Sequence, residues 1–198
     1  MVYTFEQIVK GYTLNMYDYK IKDQIISFYN TQIIDSKYID NSTYLLWIGN
    51  YYSKIKKNYD LMKKYYHIAI DRDNDMAMIM LGNYYHTIKP NYDLMKKYYR
   101  MAIDRNNHMA MNNFGYYYHY TEINYDLMKK YYIMAIDNGN KTAINNLGYY
   151  YERIKDYDNM KKYYLMSIDK GCDLAMNELG NYYERIKDYD NMKKYYLM

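Results

Sequence analysis

The sequence predicts an all-α chain: a right-handed α-solenoid of stacked helix-turn-helix repeats behind an N-terminal helical cap. Three observations predict it. Gly49, Gly82, Gly115, Gly148 and Gly180 recur at intervals of 33, 33, 33 and 32 residues. Lys-Tyr-Tyr triplets ending at Tyr66, Tyr99, Tyr132, Tyr164 and Tyr196 keep the same beat, as do Tyr-Asp pairs ending at Asp60, Asp93, Asp126, Asp158 and Asp190. A fixed period of this length marks a repeat architecture. All seven alanines also fall on repeat positions: Ala77, Ala110, Ala143 and Ala175 five residues before a glycine, and Ala69, Ala102 and Ala135 after a Tyr-Tyr pair. A chain that otherwise prefers bulky side chains keeps small ones where helices approach closely.

Residues 1–41 depart from the repeat and are expected to form a cap of two helices or a degenerate repeat. Within them Ile21 to Tyr29 is apolar at helical spacing, and Phe28-Tyr29 stands as a degenerate Tyr-Tyr pair. Five repeats follow, at 42–74, 75–107, 108–140, 141–172 and 173–198, the last incomplete. In the third, a first helix is expected from Met109 to Tyr120, with Ala110, Phe114, Tyr117 and Tyr118 on its apolar side. Asn124 opens the second helix as its N-cap, and Asn58, Asn91, Asp156 and Asp188 take the same place. The acid two residues later suits the positive end of the helix dipole. The second helix ends near Asp137, where Gly139, Gly171 and Asn106 can turn left-handed. Pro90 falls between helices, where it breaks no hydrogen-bond ladder. The chain stops at Met198 inside a second helix, so either a truncated repeat array or end-to-end self-association through the open repeat is expected.

The tyrosines divide by position. Those three after each glycine (Tyr52, Tyr85, Tyr118, Tyr151, Tyr183) and the first of each pair (Tyr65, Tyr98, Tyr131, Tyr163, Tyr195) are expected in the core, with hydroxyls reaching its edge. The second of each pair points about 100° away from the first, which leaves open whether it faces a groove or an inter-repeat seam. The acid of each Tyr-Asp pair lies four residues before the second lysine of Lys63-Lys64, Lys96-Lys97, Lys129-Lys130, Lys161-Lys162 and Lys193-Lys194, the acid-first spacing of a helical ion pair.

A period of 32–33 also suits ankyrin arrays, but no Thr-Pro-Leu-His turn occurs. Ala143-x-x-x-Leu147-Gly148-x-x-Tyr151 in the first helix, with Tyr131-Tyr132-x-x-Ala135 and Asp137-x-Gly139-Asn140 in the second, resembles the Sel1-like repeats of the tetratricopeptide-like superfamily. The resemblance covers Ser42 to Met198. The link departs from it: Thr121-Glu122-Ile123 or Arg153-Ile154-Lys155 stands where that family carries a longer Gly-x-Gly loop. The resemblance implies that the first-helix face lines a concave groove binding a protein or peptide. Its residues would be Asn50; Asn83 and His86; Asn112, Tyr116 and His119; Asn145, Tyr149, Glu152 and Arg153; and Asn177, Asn181, Glu184 and Arg185. An amide offers a donor and an acceptor to an extended backbone, and tyrosine adds rigid contact area. The resemblance further implies scaffold or adaptor duties, including assemblies linked to ubiquitin ligation or signalling.

The remaining signals exclude more than they assign. No phosphate-binding loop, dinucleotide fingerprint, nucleophile elbow or His-Glu-x-x-His motif is present, so no catalytic residue and no cofactor is expected. His86 and His119 share a repeat position without a third ligand, and Glu152 replaces them in the next repeat, so no metal site is expected either. One cysteine, Cys172, excludes an internal disulfide and fits a reducing compartment. The start lacks a basic and apolar leader, and the longest apolar run, Tyr44 to Ile48, falls far short of a membrane span; a cytoplasmic protein without membrane insertion is expected. The net charge of +4 is mild. The lysine pairs with their tyrosines could track a nucleic-acid backbone, but pairing with the acids makes this the disfavoured partner, beside a self-assembling structural array. Abundant Tyr, Asn, Lys, Ile and Met with scarce Ala, Gly and Pro points to an AT-rich genome, such as that of a large DNA virus or a parasite.

Overall fold

The computed structural model describes residues 19–197, with side chains from residue 23 onward. The cap expected over residues 1–41 therefore lies partly outside the described residues. Within them run α1 (Tyr19–Thr31), a 3-10 turn (Ser36–Tyr38), α2 (Ser42–Lys54), α3 (Tyr59–Ile70), α4 (Asp75–Asn83), a π-helical turn (Tyr84–Ile88), α5 (Tyr92–Ile103), α6 (His108–Tyr120), α7 (Tyr125–Asp137), α8 (Lys141–Arg153), α9 (Tyr157–Asp169), α10 (Asp173–Arg185) and α11 (Tyr189–Tyr196). No strand occurs among the described residues. The chain is an all-α helical-repeat solenoid. It divides into two compact units, one ending at Tyr98 and one beginning at Tyr99.

Side-chain caps start nearly every helix. The expected second-helix caps are present: the Asn58, Asn91 and Asn124 amides accept from the backbone N–H of Leu61, Leu94 and Leu127, and the Asp156 and Asp188 carboxylates from Asn159 and Asn191. A second set also exists. Asn41, Asn74, Asn107 and Asn140 cap the first helices, accepting from Tyr44, Ala77, Ala110 and Ala143. Much of the chain's asparagine is thus spent on donors that a helix start leaves unsatisfied. Cys172 holds this place before α10 and makes no side-chain cap.

The links turn through the left-handed region. Asp73, Asn106, Gly139 and Gly171 end the second helices with φ of 63°, 59°, 87° and 75°. Lys57, Ile123, Lys155 and Lys187 end the short links after first helices, with φ of 54°, 53°, 61° and 61°. Ile123 is the costliest of these, since a β-branched side chain there crowds its own carbonyl by about 1 kcal/mol or more. Pro90 occupies the corresponding place in its repeat. It lies in the link as expected, yet its ring fixes φ near −65° and bars the left-handed turn. The preceding helix ends in the π turn, with the Lys89 N–H donating to the Tyr84 carbonyl at 3.0 Å, a bond that Lys56 also makes to Tyr51 and Glu122 to Tyr117. The closing bond survives: the Asn91 N–H donates to Tyr85 O at 2.8 Å, as Asn58 does to Tyr52 and Asn124 to Tyr118.

Within a repeat, tyrosines join the two helices. The tyrosines expected in the core stack nearly parallel: Tyr52 on Tyr65, Tyr85 on Tyr98, Tyr118 on Tyr131, Tyr151 on Tyr163 and Tyr183 on Tyr195, with centroids 5.4–5.9 Å apart and planes within 6°. Tyr65, Tyr98, Tyr118 and Tyr195 are buried, while the other six are only half-buried. In the first, third, fourth and fifth repeats the second tyrosine of the pair takes neither expected place. Its ring lies flat on the glycine of the first helix in its own repeat. A Cβ on Gly115, Gly148 or Gly180 would come within 2.5–2.6 Å of the ring of Tyr132, Tyr164 or Tyr196, and one on Gly49 would strike Tyr66. Between repeats, Tyr59 packs on Tyr84, Tyr125 on Tyr150 and Tyr157 on Tyr182, centroids 5.1–5.3 Å apart. All seven alanines are fully buried. At the N-terminal side Phe28 meets Tyr51 edge-on at 5.1 Å, and Tyr29 also meets Tyr51 edge-on. The helix on which such a pair would stack lies outside the described residues.

Two substitutions check these assignments by thermal unfolding. Cys172→Asn restores the cap that the other first helices carry, and should raise stability by about 1 kcal/mol. Gly115→Ala should lower it by about 1–2 kcal/mol, because the methyl must displace the Tyr132 ring, even though helix propensity alone would favour alanine by about 1 kcal/mol.

Candidate functional site

The second tyrosine's hydroxyl projects past the glycine toward the first-helix residues that the sequence singles out. In the first unit the Tyr66 hydroxyl donates to Asn50 Oδ1 at 2.7 Å. Asn50 is only 4 % exposed, so its amide serves this internal bond and presents little to a partner. Asn83 and His86 are half-buried, and burial lowers the pKa of His86.

In the second unit, α6, α8 and α10 bring a few of the candidate residues into contact, Glu152 with Arg185 and Tyr149 with Arg153. The Asn146 amide donates to Asn112 Oδ1 at 3.0 Å, joining α8 to α6. The Tyr164 hydroxyl donates to Glu152 Oε2 at 2.9 Å. Arg185, on α10, donates to the other Glu152 oxygen. Glu152 is thus a mostly buried acid held by two donors, one from each neighbouring helix. Tyr196 repeats half of this, donating to Asn181 Oδ1 at 2.6 Å and to Glu184 Oε2 at 3.2 Å.

The exposed part of the face is aromatic. Tyr116, Tyr120 and Tyr149 are 47 %, 42 % and 41 % exposed. Tyr116 and Tyr120 lie 4.5 Å apart, and the Arg153 guanidinium sits over the Tyr149 ring at 6.0 Å. Asn145 is half-buried with its Oδ1 unpartnered, and Asn177 is exposed. His119, expected on the groove surface, is instead buried beneath it, stacked on Tyr120 at 4.1 Å and edge-on to Tyr150 at 5.7 Å. Burial first, and then the charge of Arg153, hold its pKa below the ordinary value.

The lysine pairs are otherwise engaged. The acid bonds the first lysine, three residues on, rather than the second: Lys63, Lys129 and Lys161 lie 3.0, 3.3 and 3.4 Å from Asp60, Asp126 and Asp158. Each second lysine covers a core tyrosine, with Lys64, Lys97, Lys130, Lys162 and Lys194 lying 5.1–5.9 Å from the rings of Tyr65, Tyr98, Tyr131, Tyr163 and Tyr195. An open cleft of about 560 Å³ in the first unit is lined by Lys56, Lys57, Lys63 and Lys89 beside Tyr59 and Tyr84. Its Lys63 is already paired with Asp60. Among the described residues no group of three or more His, Cys, Asp or Glu converges to hold a metal, and no helix is long and apolar enough to cross a membrane.

No protein-family model matches the chain, and no curated protein does. Solved structures do. A Sel1 repeat protein from Oxalobacter formigenes superposes with a TM-score of 0.67 at 23 % identity, over 87 % of this chain and 79 % of the other. The protective antigen c5321 of uropathogenic Escherichia coli, described as displaying an SLR fold, superposes with a TM-score of 0.61 at 19 % identity. That match covers 78 % of this chain, which spans about a third (35 %) of the antigen's length. The chain has the Sel1-type repeat fold that its sequence resembles.

The buried histidines give a pH dependence whose sign is fixed. Their folded pKa lies below the unfolded value of 6.5, so the unfolded chain binds more protons as the solution acidifies. The stabilisation is fully present above 6.5 and is lost as pH falls through the folded value. The melting temperature should drop between about pH 7 and pH 5, and His119→Gln should flatten that drop.

Proposed function

We propose that this chain is a non-enzymatic interaction scaffold that binds a protein or peptide along the face formed by its first helices. One observation carries the reading. In the second unit, Tyr116, Tyr120 and Tyr149 are exposed on that face beside Arg153 and the amides of Asn145 and Asn177. Large exposed aromatics next to polar groups of both donor and acceptor type are the composition of a protein-recognition surface.

Backbone phosphate binding has less support. A stripe of free cations would be needed to displace the counterions of a nucleic acid. Here three of the first lysines have an acid within 3.4 Å and the second lysines lie against tyrosine rings. The fold itself does not select a function, so the argument stays with the exposed residues.

The test is a capture experiment with paired baits, the intact chain and a Tyr149→Ala/Asn145→Ala/Asn177→Ala variant, using extract from the source cell. A true partner should be retained by the first and reduced at least about tenfold on the second, in line with loss of one aromatic anchor and its neighbours. The melting temperature should stay within a few degrees, since none of the three is a core side chain. A partner retained equally by both baits would move the binding surface elsewhere.

A further inference from the structure

The second unit contains a three-residue arrangement in complete and incomplete form. In the complete form, Glu152 on α8 accepts from the Tyr164 hydroxyl of the following helix and from Arg185 of the next first helix. Moved back one repeat, the same three positions hold His119, Tyr132 and Arg153. Both donors are kept, and the acid between them is replaced by an imidazole. The Tyr132 hydroxyl is buried with no hydrogen-bond partner, and so is His119 Nδ1. Arg153 makes no ion pair among the described residues and rests over Tyr149. Tyr132 is fully buried and His119 is 95 % so. An orphaned hydroxyl in such a place is costly unless something completes it.

We propose that this place takes a carboxylate from a binding partner, an Asp or Glu side chain that displaces the His119 imidazole and is held between the Tyr132 hydroxyl and the Arg153 guanidinium. The proposal rests on the reading of the first-helix face as a peptide-binding face and names the chemistry recognised there. The chain itself supplies the pattern for the occupant, because one repeat further on these two donor types hold a carboxylate of its own. Charge complementarity agrees. Arg153 is an exposed cation whose counterpart one repeat on, Arg185, is neutralised by Glu152, whereas the residue facing Arg153 is a histidine that burial and that same arginine keep neutral. The other ionisable groups in the field of Tyr132 are Tyr120 and Tyr116, both exposed. Together with Tyr149 they would flank the incoming acid, so its neighbour in the partner should be aromatic or apolar. Arginine and hydroxyl donors to a carboxylate form charge-assisted bonds stronger than neutral ones, which makes the acid and not its amide the recognised group.

The test uses the full chain, immobilised, and two fluorescent dodecapeptide pools, degenerate except for a fixed central Phe-Glu in one and Phe-Gln in the other. The wild-type chain should retain the Phe-Glu pool about tenfold more strongly than the Phe-Gln pool. His119→Glu supplies the acid internally, as Glu152 does, and should raise the melting temperature by about 2–4 °C while abolishing the preference. Arg153→Gln, a change at an exposed side chain, should abolish the preference without raising the melting temperature. It keeps the test standing should His119→Glu fail to fold. A preference that survives Arg153→Gln would overturn the proposal. So would equal retention of both pools by the wild-type chain. If that equal retention falls with Tyr149→Ala, the peptide-binding face stands and only its acid specificity is lost. Retention of neither pool would overturn both.

Discussion

The contact on which the structure turns is a tyrosine ring lying flat on a glycine. The last three repeats pack the second helix so closely against the first that no Cβ fits between Gly115 and Tyr132, Gly148 and Tyr164, or Gly180 and Tyr196. That approach fixes the separation of the two helices, and the separation fixes the rest. It lets the neighbouring tyrosines stack with planes within 6° of parallel, and it leaves room only for alanine where the first helix meets the adjoining repeat. Large rings and absent side chains are therefore one solution, since a flat aromatic fills the gap that glycine leaves with close-packed contact. The tyrosine excess is in the main this solution repeated.

A tyrosine brings a hydroxyl that phenylalanine would not, and a buried hydroxyl needs a partner. Because the ring crosses the glycine, its hydroxyl emerges under the face of the first helix, and that face must supply the acceptor. Asn50 does so for Tyr66, Glu152 for Tyr164, and Asn181 with Glu184 for Tyr196. Several polar residues that read as free groove residues in the sequence are thus committed inward. The same residues shape what remains outward. Where the acceptor is present the face is internally satisfied, and where His119 replaces it a donor is left over. The functional character of the face follows from how each repeat answers a packing requirement.

The repeat, the helix pairs and the second-helix caps were legible in the sequence, because each depends on spacing alone. The first-helix caps were equally periodic, with Asn41, Asn74, Asn107 and Asn140 each eight residues before a glycine, but were masked by the abundance of asparagine elsewhere. The second tyrosine was not legible. Helical periodicity states its angle relative to its neighbour, whereas its destination depends on how near the partner helix lies, a tertiary quantity. The lysine pairing went astray for a similar reason: both spacings suit a helical ion pair, and the nearby ring that draws the second lysine belongs to the packing. The effect of Pro90 was half legible. Its place in the link follows from its chemistry, but nothing in the spacing marks the π turn before it.

Identical sequence does not give identical environment here, which limits how far any one repeat can be read alone. Tyr150 to Met166 and Tyr182 to Met198 match residue for residue. Yet Tyr164 is fully buried while Tyr196 is 41 % exposed, because α10 packs beside the first and no described helix follows α11. Glu152 and Glu184 differ likewise: the first is gripped by an arginine from the next helix pair, the second only by its own tyrosine. In a solenoid each repeat completes its neighbour, so the unit of stability is the interface as much as the helix pair. The unit of recognition follows the same rule. Tyr132 and Arg153 come from adjacent repeats, and the place they leave for an acid exists only where the two are stacked.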